Sequence, residues 1–178
     1  MMAIFLIANF MCISGTRSIV AIFNIVKTIT VSIFAYKGKG KDIVVFVVAC
    51  LCASLVFIPI NVSLIHTVTS LVCGVCNGLS LRKCKFQISI LLAYIANIIT
   101  YTYEMVMTFL LTNTNAFIAY YRSLERIITL FFSEIGINVQ QISVGVILFI
   151  IVDLFFSSLF ILLMDRFIIN RLNRIIKT

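Results

Sequence analysis

The chain has 178 residues, 62% hydrophobic and 11% charged, with 14 Lys and Arg against 6 Asp and Glu and a formal net charge of +8. A mean hydropathy of +1.20 exceeds what a soluble domain of this length can bury and points to an integral membrane protein. A nucleic-acid partner is not expected despite the charge, because ten of the cations fall in three separate short segments, Lys37, Lys39 and Lys41, then Arg82, Lys83 and Lys85, then Arg166, Arg171, Arg174 and Lys177, and not in one stripe.

The expected fold is all-α, a polytopic helical bundle of about six transmembrane helices with one external amphipathic helix, forming a single membrane domain over residues 1–178. Basic residues cluster on the cytoplasmic side of membrane helices, so the two basic runs and the C-terminal tail are placed in the cytoplasm, in a bacterial or archaeal plasma membrane. The first span, residues 2–13, rises only about 18 Å against a hydrocarbon core of about 30 Å, so it tilts, thins the bilayer or lies in the interface. It lacks a basic start and a small-residue cleavage site, and is read as retained. The second span, 18–36, ends at Lys37. Between the two basic runs the chain must leave the cytoplasm and return, and Pro59 with Asn61 supplies the turn between spans 43–58 and 62–79. Spans 86–111 and 144–168 complete the set.

The last two spans run outward and inward, which puts both ends of the segment between them outside. Its apolar residues Phe117, Tyr121, Leu124, Ile128, Phe131 and Ile135 recur at spacings of four and three, with Arg122, Glu125, Arg126, Thr129 and Ser133 opposite. This predicts an amphipathic helix over 116–135 lying on the outer surface or capping a cavity.

Three ionisable residues interrupt apolar spans: Lys27, Glu104 and Asp153. Each costs a few kcal/mol at bilayer depth unless paired or wetted. Lys27 and Asp153 both sit near mid-depth, which permits a structural pair or a ligand site, and Arg122 or Arg126 is within reach of Glu104. Asn97, Tyr101 and Glu104, spaced i, i+4, i+7, make a polar stripe on one helix face and mark a water-lined pocket. The candidate substrate-binding residues are therefore Lys27, Asn97, Tyr101, Glu104 and Asp153. Six cysteines are present, mostly within apolar runs, and a disulfide framework is not expected. Cys73-Gly74-Val75-Cys76 has metal or redox spacing, but no second pair or spaced histidines complete a zinc site, so packed thiols are expected, with no metal and no cofactor.

The basic start Lys39-Gly40-Lys41-Asp42 leading into Val47-Val48-Ala49-Cys50-Leu51-Cys52-Ala53, the exit Phe57-Ile58-Pro59-Ile60, and a long final helix running into Arg171-Leu172-Asn173-Arg174 resemble the substrate-binding S components of energy-coupling-factor vitamin transporters. The resemblance implies binding of a small vitamin or metal-related solute from outside, with the segment 116–135 near the entrance. It further implies that a small-xxx-small face, here Ala49 and Ala53, docks a coupling membrane subunit. The chain departs from that family in carrying the Ala pair in its third segment and in reducing the glycine-rich approach to Gly74 and Gly78. No G-x-x-x-x-G-K-[ST] loop is present, so transport implies separate ATPases. Two other readings stand beside this one. A non-catalytic membrane scaffold or assembly protein fits the same layout. His66 and Cys73, seven apart on one helix, resemble the pair in membrane endopeptidases that trim quorum-sensing propeptides, although Ile60-Asn61-Val62-Ser63-Leu64-Ile65 replaces that family's basic, glycine-containing approach. Binding is favoured over catalysis.

Overall fold

The computed structural model describes residues 1–14, 17–57, 63–113, 118, 121–123, 125–126 and 139–175, and among the described residues every regular element is helical and no strand occurs. In chain order the elements are α1 (Met2–Ser14), α2 (Arg17–Lys37), α3 (Gly40–Phe57), a π-helical turn (Ser63–Thr67) running into α4 (Val68–Lys83), α5 (Phe86–Thr112) and α6 (Val139–Ile175). The expected turn at Pro59 and most of the amphipathic segment 116–135 lie outside the described residues.

The helix ends follow local chemistry. Lys37 ends α2, and Arg82 and Lys83 end α4, where cations complement the negative end of the helix dipole. Asp42 sits in the first turn of α3, at the positive end. The chain leaves α4 through Cys84 in an extended conformation, its N–H bonded to the Ser80 carbonyl. It leaves α5 through Asn113 at φ 54° with its N–H on the Phe109 carbonyl, a left-handed cap that Asn tolerates better than most residues.

Packing centres on α2 and α4, which share the most extensive interface. Gly74 and Gly78 lie one turn apart on α4 and face α2. A Cβ at Gly74 would lie 2.6 Å from Val31 Cβ and 2.7 Å from the Thr28 carbonyl oxygen, and one at Gly78 would collide with the Ser32 carbonyl oxygen and lie 2.8 Å from Ala35 Cβ. Two glycines at small-xxx-small spacing let the backbones approach this closely. Around this pair, Phe5, Val31, Phe46, Cys50 and Leu71 join α1 to α4 in one buried cluster, with the Phe34 and Phe46 rings stacked at 4.1 Å. Ile29 and Ile33 of α2 meet Ile169 of α6, flanked by Tyr36, Leu81 and Leu172. Val146 and Ile150 of α6 hold Tyr121 and Leu154 against them.

Beside this apolar core, several polar side chains are buried and several large apolar ones are exposed. Lys27, Ser32, Ser54, Thr67 and Asp165 are fully buried, while α6 exposes Phe149, Phe156, Phe160 and Phe167. Two helices, Phe86–Leu111 and Val144–Ile175, are long and apolar enough to cross a membrane, and they suggest membrane association. α1, with 13 residues, rises about 20 Å and stays short of a bilayer core. α6, with 37 residues, rises about 55 Å, so its basic C-terminal turns extend past any hydrocarbon layer that its middle occupies.

The three basic segments converge on one end of the bundle. Arg82 Nη1 donates to the Gly38 carbonyl at 2.7 Å, Tyr36 and Leu81 pack beside Ile169, and the Arg166 guanidinium lies 4.4 Å over the Phe86 ring.

Candidate functional site

The polar stripe read from the sequence forms one wall of a pocket. Asn97, Thr100, Tyr101 and Glu104 of α5 face Thr69, Ser70 and Cys73 of α4 and Asn24 and Thr28 of α2, across a cavity of about 140 Å³ that Ile161 of α6 closes. Asn97 also ties α5 to α6, its Nδ2 donating to Ser158 Oγ at 2.9 Å and to the Leu154 carbonyl at 3.3 Å.

Four of the hydroxyl protons around this cavity are committed to the helix backbone. Thr28 donates to the Asn24 carbonyl, Thr69 and Ser70 both to the His66 carbonyl, and Thr100 to the Ala96 and Asn97 carbonyls. A hydroxyl has one proton and two lone pairs, so these four side chains present acceptor oxygens to the cavity. Cys73 Sγ lies in hydrogen-bond contact with Thr100 Oγ1 at 3.2 Å. The lining is thus rich in acceptors, and Glu104 adds the one carboxylate.

Glu104 marks the mouth. Its Oε1 lies 3.7 Å from His66 Nδ1, and both side chains are 32% exposed, whereas Thr100, four residues deeper, is buried. His66 belongs to the π-helical turn Ser63–Thr67, an irregularity often found at functional sites because it re-aims side chains relative to the regular helix. His66 meets Glu104 while Cys73 meets Thr100 one turn further along α5, so the two residues of the peptidase resemblance contact different partners and not each other. Cys76 donates to the Leu92 carbonyl at 3.7 Å, so both thiols of the C-x-x-C sequence are occupied by α5. Among the described residues no group of three His, Cys, Asp or Glu side chains is arranged to hold a metal ion.

Lys27 and Asp153 do not join this pocket or each other. Lys27 is fully buried, and its Nζ donates to Asn9 Oδ1 at 3.0 Å. Asn9 Nδ2 in turn donates to Ser54 Oγ at 2.8 Å and Thr67 Oγ1 at 2.9 Å. This knot joins α1, α2, α3 and the π turn. Asp153 lies on the exposed face of α6, about 180° around the helix from the buried Leu162. Equal expected depth did not bring the two together, because the C-terminal half of α6 is turned to bury Ser158, Leu162, Asp165 and Ile169.

The buried carboxylate of α6 is Asp165, which the reading of spans passed over although it lies inside 144–168. Its Oδ2 accepts from Asn77 Nδ2 at 3.3 Å, and the Ser32 hydroxyl faces the same carboxyl without reaching hydrogen-bond geometry. A signal was present: Leu162, Asp165 and Ile169 share one helix face at i, i+3, i+7. Asn9 had a weaker one, as the lone amide in the first apolar segment. Ala49 and Ala53 lie one turn apart on α3 and are half-buried.

The chain matches no family model, no curated protein and no solved structure. The pocket's own chemistry is therefore the ground on which its function is inferred.

Proposed function

We propose that the protein is a membrane-embedded binding subunit for a small cationic solute, and that it delivers this solute to a transporter whose coupling membrane subunit and ATPases are separate chains. The supporting observation is the pocket of hydroxyl oxygens with Glu104 at its mouth. Four hydroxyls whose protons are on backbone carbonyls favour a ligand that donates hydrogen bonds, and a carboxylate favours one that carries positive charge. A volume of about 140 Å³ is below the roughly 300–1,000 Å³ of sites for drug-sized ligands, so a compact amine fits better than a bulky vitamin.

In this reading the bundle crosses the membrane about six times with its basic end in the cytoplasm, α1 crossing only where the bilayer thins around it. A fluorescent protein fused after Thr178 should then be bright in a bacterial host, and a phosphatase active only outside the cytoplasm should be silent at the same position. The reverse pattern would overturn the orientation.

The binding test is a panel of compact amines, cationic vitamins, neutral vitamins and anionic vitamins added to purified protein. The chain has no Trp, so melting is best followed by the helical circular dichroism signal. Cationic members should raise the melting temperature and the others should not. Glu104→Gln should weaken binding roughly ten- to hundredfold, since a hydrogen bond to a charged group contributes about 1.5–3 kcal/mol. If no cation stabilises the wild type, or if Glu104→Gln binds as well as the wild type, the reading fails and a scaffold role gains ground.

A further inference from the structure

At the basic end of the bundle, the last turns of α6 carry features the solute pocket does not use. Arg166, stacked on Phe86, and Asn170 share the wall of a cavity of about 170 Å³ with Tyr36 and Cys84. A second cavity, of about 370 Å³, lies between Asn170, Arg171, Arg174 and Phe167. Asn170 lines both, so the two cavities adjoin at this residue and are taken together as the cleft. Among the described residues none of these three arginines is paired with a carboxylate. The surrounding end is strongly cationic, with Lys37, Lys39, Arg82, Lys83 and Lys85 close by in the turns that converge there.

The cleft continues into an apolar face. One turn and then two turns back along α6, Phe167, Leu163 and Phe160 are 60%, 47% and 54% exposed. With Arg171 and Arg174 they form a single helix stripe at spacings of three and four, apolar first and cationic in its last turns. That is the polarity profile of the boundary between hydrocarbon and headgroup. A free inorganic anion would use the arginines and leave the aromatic stripe unexplained; a molecule with an anionic phosphate and long acyl chains uses both.

We infer that the cleft about Asn170, bounded by Arg166, Arg171 and Arg174, binds the phosphate of an anionic phospholipid whose acyl chains lie along Phe160, Leu163 and Phe167. Arginine suits this task because its planar fork of donors matches phosphate oxygens. Basic pockets between membrane helices bind anionic headgroups, and each nearby cation strengthens binding on the order of fivefold.

The test compares phosphatidylglycerol, phosphatidylcholine and inorganic phosphate as additives to the purified full-length protein in detergent, read by melting temperature and by lipid retained in native mass spectrometry. Phosphatidylglycerol should stabilise and be retained, phosphatidylcholine less so, and inorganic phosphate should not stabilise. The double variant Arg171→Gln, Arg174→Gln should weaken phosphatidylglycerol binding on the order of twenty-five-fold. Its folding is checked by an unchanged elution profile, and Arg171→Lys, Arg174→Lys keeps the charge should the first variant misfold. Lys37→Gln, Lys39→Gln removes the same charge from the same end without touching the cleft and should cost clearly less than the arginine pair, because neither lysine lines the cavities. An equal loss in that control would reduce the effect to diffuse charge attraction and overturn the site. Equal stabilisation by inorganic phosphate would overturn the lipid, and equal retention of phosphatidylcholine would overturn the anion.

Discussion

Gly78→Leu is expected to abolish the native bundle: protein extracted from membranes should elute as aggregate, and any remaining monomer should show a broad, early loss of its helical circular dichroism signal. The new Cβ would meet the Ser32 carbonyl oxygen, Ala35 Cβ and the Tyr36 backbone nitrogen. Two of these three are main-chain atoms of α2, so no rotamer change relieves the clash and α4 must move away. Overpacking of a close interface costs about 1–3 kcal/mol when side chains yield, and the cost here should exceed that range because the backbone has to yield. Separation of α2 and α4 would also open the pocket below Glu104, whose walls include both helices. The control is Gly145→Ala. A Cβ there meets nothing within 4 Å, and replacing a mid-helix glycine should be neutral or stabilise by up to about 1 kcal/mol. Equal behaviour of the two variants would mean that the α2–α4 contact is not close.

Asn9→Leu should be the most damaging single change away from the glycines. The Asn9 amide accepts from the fully buried Lys27 ammonium and donates to Ser54 and Thr67, so one substitution removes a partner from three buried polar groups. A hydrogen bond to a charged group contributes about 1.5–3 kcal/mol, so a loss of that order is expected from the Lys27 contact alone, while Ser54 keeps its bond to the Cys50 carbonyl. The informative comparison is the pair Asn9→Leu, Lys27→Met. Removing the ammonium as well should restore a large part of the lost melting temperature, giving a strongly non-additive cycle. Additive losses would show that Lys27 does not depend on Asn9. The knot also predicts where function is insensitive: none of these residues lines the pocket below Glu104, and ligand affinity should survive conservative changes such as Ser54→Ala.

Helical periodicity made part of the candidate site legible. Asn97, Tyr101 and Glu104 sit on one face of an otherwise apolar helix, and any regular helix through those positions aligns them, so their shared wall was visible before any neighbour was known. The opposing wall was not. Thr28, Thr69, Ser70 and Cys73 look like ordinary membrane-helix residues until the packing of α2 against α4 and α5 turns them inward. The Lys27–Asp153 pair failed for a related reason. Depth along a span follows from sequence position, but two residues at one depth meet only if both helices are rotated toward each other, and α6 is rotated to bury Asp165 and Leu162. In sequence the two glycines on α4 read as the remnant of a glycine-rich approach, whereas their structural effect is a close helix contact.

The sequence by itself determined the all-helical character, the apolar stripe lengths of α5 and α6, the polar stripe on α5 and the grouping of cations into three short segments, because these depend on composition and on periods of a few residues along one chain. Only the tertiary structure decided which helices touch, which of two carboxylates on α6 is buried, what Lys27 bonds, and how the hydroxyls of three helices converge below Glu104. Those outcomes depend on the relative rotation of helices far apart in sequence, which is set by the closest contacts they can make, at Gly74 and Gly78 above all.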